Sequence, residues 1–272
     1  LNIVKLNNGV EMPQLGFGVW QVPDAEATPA VSEAIKAGYR SIDTAAIYGN
    51  ESGVGAALGM VDRDELFITT KLWNADQGYD PTLRAFDESM NKLGLDVLDL
   101  YLIHWPTPAR ELYVDTWKAF VELQKEGRVR AIGVSNFQPA HLRRLIDETG
   151  VVPAVNQVEL HPYLQQSELR AFHAEHGVQT EAWSPLGQGG ELLSDPVVTE
   201  IAARHHRSAA QIVLRWHLQL GNVVIPKSVT SARIRENIAV FDFELSEDEL
   251  AALSTLDRGG RIGPNPDEFN QA

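Results

Sequence analysis

The feature that most constrains this chain is a recurring punctuation. Short β-branched and apolar runs alternate with helix-forming stretches, and run after run stops at a polar side chain. The runs predicted as strands are Leu15–Gly18, Ser41–Asp43, Leu66–Thr70, Leu98–Ile103, Ala131–Val134, Val155–Val158, Gln179–Trp183 and Val223–Pro226. From the second onward they end at, or within a residue or two of, Asp43, Lys71, His104, Ser135 with Asn136, Gln157, Ser184 and Lys227. Successive stops lie about thirty residues apart, the length of one βα unit. Val223-Val224-Ile225 is apolar at consecutive positions, as suits a strand covered on both faces in a parallel sheet. Alternating strands and helices leave two architectures, a closed barrel and an open doubly wound sheet. A doubly wound dinucleotide domain would want a complete G-x-G-x-x-G. Here Gly16/Gly18, Gly53/Gly55 and Gly187/Gly189 are followed by Gln21, Leu58 and Leu192 where the third glycine should stand. A barrel, by contrast, brings all the strand ends onto one rim, where barrel enzymes build their sites. The prediction is an α/β fold, a (β/α)8 TIM barrel spanning 1–272 as one domain, with an N-terminal β-hairpin and an extra C-terminal helix.

Local signals agree. Asn8-Gly9 after Ile3-Val4-Lys5-Leu6 predicts a two-residue hairpin turn. Asp80-Pro81 reads as an N-cap with proline in the first turn, ahead of a stripe of Leu83, Phe86, Met90 and Leu93. Ile212, Val213, Trp216 and Leu220 mark another stripe, and Ser246 with Glu249 a capping box. Zero cysteines exclude disulfides, thiolate metal sites and a cysteine nucleophile. His173 and His176 lack an H-E-x-x-H pattern, so no metal site is expected. With 23 basic against 37 acidic residues the net charge is −14, which disfavours a nucleic-acid or anionic-membrane binder. No apolar stretch approaches the length of a bilayer span, and the N-terminus is too short and polar for a signal peptide. A cytoplasmic monomer is expected.

Taken singly, the rim residues are bland. Asp43 could cap a turn, Lys71 could end a strand in solvent, His104 could be a core histidine, and Tyr48 could be packing. Together they carry chemistry. A phenol beside an ammonium and a carboxylate is expected to have its pKa lowered from about 10, making it a usable acid near neutrality. A neutral imidazole alongside can donate to a carbonyl oxygen. This equipment protonates an alkoxide as it forms, as carbonyl reduction by hydride demands.

The segment Asp43-Thr44-Ala45-Ala46-Ile47-Tyr48-Gly49-Asn50-Glu51 resembles the aldo-keto reductase signature. Gly16-Phe17-Gly18-Val19-Trp20, Leu102-Ile103-His104-Trp105-Pro106, Gly133-Val134-Ser135-Asn136-Phe137, Asn156-Gln157 and Ile225-Pro226-Lys227-Ser228 resemble its other blocks, in order. His104-Trp105-Pro106-Thr107-Pro108 and Trp183-Ser184-Pro185-Leu186-Gly187 look most like the bacterial branch of 2,5-diketo-D-gluconate and methylglyoxal reductases. The resemblance implies an NADPH-dependent oxidoreductase acting on aldehydes or ketones such as small dicarbonyls, keto sugars or aromatic aldehydes. It makes Tyr48 the proton donor, Lys71 and Asp43 its tuning pair, and His104 the group that orients the carbonyl. Ser135, Asn136 and Gln157 match the residues that bind the nicotinamide carboxamide, and Trp183 the ring that stacks on the nicotinamide. Ser184 and Leu186 follow as further cofactor contacts. Lys227, Ser228 and Arg233 match the grip on the adenosine 2′-phosphate, and Glu236 and Asn237 the adenine contacts.

That last segment also stands out physically. Within an acidic chain, Lys227, Arg233 and Arg235 cluster where a strand exits and a helix begins, which suits a phosphate. Trp20, Trp73 and Trp105 follow strand ends and, with Tyr48 and His104, are predicted to line the substrate pocket; Trp117 and Trp216 sit on helix stripes and are predicted core. Gly187-Gln188-Gly189-Gly190 is expected to be a short mobile loop. Compared with the mammalian members, the loops after His104-Trp105 and Trp183 and the tail beyond Asp257 look short, which implies an open pocket and a weakly gated cofactor. Two other functions compete. A Schiff-base lyase would use Lys71 as nucleophile, against which a neighbouring Asp43 would keep the amine protonated. A cofactor-sensing module, like the potassium-channel β-subunits of the family, lacks its extra N-terminal sequence here.

Overall fold

The computed structural model describes residues 1–272. A hairpin of β1 (Ile3–Lys5) and β2 (Glu11–Pro13) comes first. Eight parallel strands follow: β3 (Phe17–Gly18), β4 (Ser41–Asp43), β5 (Phe67–Leu72), β6 (Leu98–Ile103), β7 (Val129–Ser135), β8 (Val155–Glu159), β9 (Gln179–Trp183) and β10 (Val223–Val224). They neighbour one another in chain order, and the Leu15–Val224 bridge joins the last to the first. Gly16 N donates to Val224 O at 2.8 Å and Gly18 N to Pro226 O at 3.1 Å, so the ladder closes into a barrel. Following the pairings once round gives a shear of about eight, the value for this architecture.

The eight predicted strands are all present, with shifted bounds. β5 runs through Lys71 and β7 through Ser135, so these side chains are held by sheet rather than by the loops beyond. The hairpin turn differs from its prediction. Val4 pairs with Met12 and Leu6 N donates to Val10 O, leaving the three-residue loop Asn7-Asn8-Gly9 with Gly9 left-handed at φ +88°.

Helices α1 (Asp24–Ala37), α2 (Glu51–Ala57), α3 (Tyr79–Leu93), α4 (Tyr113–Lys125), α5 (Pro139–Thr149) and α6 (Ser167–His176) each follow one strand. Helix α3 begins a residue before Asp80, with Gly78 at its N-cap, so Asp80 contributes first-turn charge rather than a cap. Two helices follow β9, α7 (Pro196–His205) and α8 (Ala209–Gln219), where one was expected. After β10 come α9 (Ser231–Ile238) and α10 (Glu247–Ser254). At α10 the Ser246 hydroxyl accepts from Glu249 N, while the Glu249 carboxylate takes His205 at 2.6 Å instead of closing the box. No helix is long and apolar enough to cross a membrane.

Two apolar regions hold the fold. The larger lies between strands and helices and includes the predicted core residues Trp117 and Trp216, both fully buried. The smaller lies inside the barrel and mostly in its lower half: Phe67, Leu100, Ala131, Val155 and Val223, with Leu102 above them and Leu6 and Met12 of the hairpin beneath. Asn8 Nδ2 donates to Arg130 O and Asn7 Nδ2 to Pro153 O, which fastens the hairpin over the lower mouth. The strand pairings also sort the inward side chains into layers from alternate strands. From below they read Phe67 with Ala131 and Gln179; Ser41, Leu100, Val155 and Val223; Gly16, Thr69, Gly133 and Glu181; then Asp43, Leu102, Gln157 and Ile225; then Gly18, Lys71, Ser135 and Trp183. The interior turns from hydrocarbon to polar as it rises.

Candidate active site

At the upper end, Lys71 Nζ lies 2.5 Å from Asp43 Oδ1, 2.9 Å from Thr44 O and 3.4 Å from the Tyr48 hydroxyl, donating to all three. Asp43 and Lys71 are buried. The second Asp43 oxygen accepts from Gln157 Nε2 at 2.8 Å. The Tyr48 and His104 rings meet edge to face with centroids 5.8 Å apart. The four predicted catalytic side chains therefore converge.

Tyr48 is delivered by a short 3-10 turn, Ala46–Tyr48, and the rest of its segment is scaffold. Asn50 Oδ1 accepts from the Thr44 hydroxyl at 2.7 Å, and Asn50 Nδ2 donates to Val19 O and Val22 O. The Glu51 carboxylate is fixed by the Thr70 and Ser89 hydroxyls. A buried amide with its donors and acceptor engaged holds the turn in one place.

The electrostatics correct one expectation. Burial raises the Tyr48 hydroxyl above its ordinary value and outweighs the opposing pull of the Lys71 ammonium, with Asp43 adding to the rise. The phenol is protonated at neutrality and held ready, rather than half-ionised. Burial also works against the charge on Lys71, but Asp43 and Tyr48 overcome it and hold the ammonium above the usual lysine range. A permanently protonated amine is no Schiff-base nucleophile, and the lyase reading loses its support. Burial, helped by Lys71, holds His104 well below the ordinary histidine value, so its imidazole is neutral. No side chain of the protein engages His104 Nδ1.

Beside this group the predicted carboxamide set forms one connected network. Ser135 Oγ donates to Gln157 O at 2.7 Å. Asn136 Nδ2 donates to His104 O at 3.0 Å, and Asn136 Oδ1 accepts from Trp183 Nε1 at 2.8 Å. Gln157 thus joins the network to Asp43. Asn136 and Ser184 both have left-handed backbones, at φ 63° and 46°, an uncommon conformation for non-glycine residues that aims their side chains off the strand ends. Ser184 and Leu186 are partly buried on the turn beyond Trp183. The Gly187–Gly189 segment predicted as a mobile loop forms a 3-10 turn, with Gly187 N bonded to Ser184 O.

Farther along the rim, Ser228 Oγ accepts from Thr230 N just before α9. Lys227 and Arg233 are exposed, and neither forms an ion pair. Asn237 is buried on α9 and Glu236 half-buried beside it. Of the residues predicted to line the substrate pocket, Trp73 packs edge to face on His104 at 5.4 Å and Trp105 stacks near it at 6.5 Å. Trp20 is 42% exposed and shares no ring contact with the others.

The tail is the part the sequence did not announce. Glu159, at the end of β8, accepts Ile262 N at 2.8 Å and Gly263 N at 2.7 Å, which presses Gly263 against Trp183; an added Cβ there would lie 2.5 Å from the indole. The chain then reaches the far side of the rim. Phe269 packs on Trp105 at 4.6 Å, Asn270 accepts from Ala109 N, and Gln271 O accepts from Asn74 Nδ2. The mouth predicted to be open is crossed by fastened backbone.

The family model for the Aldo/keto reductase family matches residues 13–258. An aldo-keto reductase of Mycobacterium sp. is 58% identical, and the methylglyoxal reductase DkgA of Salmonella typhimurium 57% identical, each over 98% of both chains. Among solved structures, a Gox0644 mutant in complex with NADPH superposes at TM-score 0.96 with 54% identity over 98% of both chains. An aldo/keto reductase from Brucella melitensis gives 0.91 at 58% identity, covering 94% of this chain and 99% of that one. With the barrel, the converging side chains and these likenesses together, the chain belongs to the aldo-keto reductase family.

Proposed function

We propose that this protein is an NADPH-dependent reductase of small carbonyl compounds, α-dicarbonyls such as methylglyoxal first among them. The observation that carries the reading is the protonated Tyr48 hydroxyl, 3.4 Å from a Lys71 that is itself locked to Asp43, beside a neutral His104. A carbonyl oxygen placed between Tyr48 and His104 would receive two hydrogen bonds and a polarising field in a site shielded from water.

The residues fit the cofactor. Ser135, Asn136 and Gln157 offer an amide-binding set against the catalytic group, Trp183 offers a flat face, and Lys227 and Arg233 offer unpaired positive charge, with the Ser228 hydroxyl between them, near the N-terminal end of α9. Bound NADPH supplies the hydride. On this reading Glu236 and Asn237, farther along α9, would meet the adenine. As the carbonyl carbon gains hydride, the Tyr48 O–H bond breaks and its proton passes to the oxygen, giving the alcohol. The phenolate left behind is stabilised by the Lys71 ammonium, whose charge Asp43 maintains. His104 keeps the oxygen in line, and Trp73, Trp105 and Phe269, with Trp20 at the outer edge, bound a pocket suited to a compact substrate.

The relative named methylglyoxal reductase supports the substrate class, and the tail across the mouth supports small size. NADPH oxidation is to be followed with methylglyoxal, phenylglyoxal, a diketo sugar acid and an aromatic aldehyde. The highest kcat/KM is expected for the small dicarbonyls; turnover with none of the four would overturn the reading. Equal Kd for NADPH and NADH would overturn the cofactor preference.

A further inference from the structure

Directly beneath Asp43 and Gln157 lies a carboxyl group that the reaction as described does not use. Glu181 sits at the middle of β9 and is fully buried, and neither of its oxygens has a hydrogen-bond partner. It occupies the layer of Gly16, Thr69 and Gly133, where two of the four positions carry no side chain. Gly133 is enforced, since a Cβ there would lie 2.6 Å from Val155 O, and a Cβ at Gly16 would crowd Ser41 Oγ at 3.0 Å. Across the barrel the fourth member, Thr69, also has an unpartnered hydroxyl. A buried carboxylate with no donor is among the costliest arrangements in a protein interior. The layer below holds Leu100, Val155 and Val223 with the uncharged Ser41 hydroxyl, and no group in it carries a charge that would pair with an ion.

We propose that Glu181 is a positioning residue of the proton-donating chain, a carboxyl that sets how readily Tyr48 gives up its proton by keeping or losing one of its own. This rests on the reading of Tyr48 as donor. The charged or titratable groups facing Glu181 are Asp43 from β4, Lys71 from β5 and Tyr48 above them. Gln157, its neighbour on β8, donates one amide N–H to Asp43 and still has a second on the side of Glu181, and its neighbour on β10, Val223, is apolar. On β9 itself the inward neighbours, Gln179 and Trp183, do not titrate in this range.

Burial, with the Asp43 charge acting in the same direction, pushes the Glu181 carboxyl up to about 8, against the opposing pulls of the Gln157 amide and then of Lys71. At neutrality Glu181 is therefore a neutral acid, and Asp43 and Lys71 balance as one anion and one cation. Loss of the Glu181 proton leaves the pocket with a net negative charge. That charge tightens the hold of Tyr48 and Lys71 on their protons, making the phenolate harder to form. The sign is thus fixed: an ionised Glu181 moves the Tyr48 limb of the pH profile upward, and Glu181→Gln moves it down.

The test is the pH dependence of kcat/KM in both directions, methylglyoxal reduction with NADPH and oxidation of its alcohol product with NADP+, for wild type, Glu181→Gln and Glu181→Asp. In Glu181→Gln the Tyr48 limb is expected to fall by about one pH unit, the scale of one charge at short range in a protein interior. Glu181→Asp, which keeps a titrating carboxyl, is expected to hold the limb nearer wild type. Alongside, the infrared C=O stretch of a buried protonated carboxyl is expected in wild type near neutrality, fading as pH passes about 8, and missing from Glu181→Gln. An unmoved limb in Glu181→Gln, or no such band in wild type, would overturn the proposal. Should Glu181→Gln fail to fold, the wild-type band and the Glu181→Asp limb decide. A wild type that reduces no carbonyl with NADPH would instead defeat the functional reading, while the infrared titration still tests Glu181.

Discussion

The two ends of the barrel are made from the same eight strands and obey different rules. In the lower half, Phe67, Leu100, Ala131, Val155 and Val223 fill the interior with hydrocarbon, and Leu6 and Met12 stop the opening. In the upper half, Asp43, Lys71, Ser135 and Gln157 fill it with hydrogen bonds. Apolar contacts are non-directional, so the lower half should tolerate exchanges that conserve volume. A polar network is directional and tightly coupled, so the upper half should tolerate almost none. The lower end keeps the scaffold stiff, and the upper end depends on that stiffness for its geometry.

Substitutions at the two ends should therefore fail in different ways. The largest effect is expected for Tyr48→Phe, which removes the proton and little volume: kcat should fall by about three orders of magnitude or more, with NADPH binding retained by fluorescence titration. Retention of most activity would refute the donor assignment. Lys71→Met should lose nearly as much turnover and, by leaving Asp43 buried without its cation, about 3–5 kcal/mol of stability as well; chemical denaturation reads the second loss separately. At the other end, Leu100→Ala should cost about 2–5 kcal/mol of stability with kcat/KM little changed, and a large kinetic effect there would break the contrast. Arg233→Ala, away from both ends, should weaken NADPH by about 1.5–3 kcal/mol while sparing NADH.

A separate expected effect concerns acid. Burial lowers His173 and His217 to about 3, so folding excludes protons that the unfolded chain would bind. Their contribution to stability is complete above the unfolded histidine value of about 6.5 and is lost as pH falls from there toward 3. The denaturation midpoint should decline over that window, less steeply in His217→Gln. An unchanged slope in that variant would remove His217 from the account.

Much of this design was legible in the residues because two codes coincide. A strand covered on both faces must be apolar, so Asp43, Lys71 and Gln157 stand out where they end such runs. The depth of burial was not legible. Tyr48 looked like a phenol acidified by its neighbours because sequence proximity shows the charges and hides the lost water. Glu181 carries no mark of its own within Gln179–Trp183, since its inward direction follows only from the register with β8. The tail was hidden for another reason: Glu159 grips main-chain N–H groups, which every residue but proline possesses, so no side-chain pattern marks the site. The second helix after β9 was missed because the gap between strands could hold one helix with a loop or two helices.

The course of the tail has a practical consequence. Gln271 sits against Asn74 at the reactive mouth, while the hairpin near Leu1 closes the opposite pole. A purification handle or surface linkage joined close behind Gln271 would crowd the proposed substrate entrance. The same attachment close ahead of Leu1 would stand the molecule on its inert base, with its working face turned toward the solution.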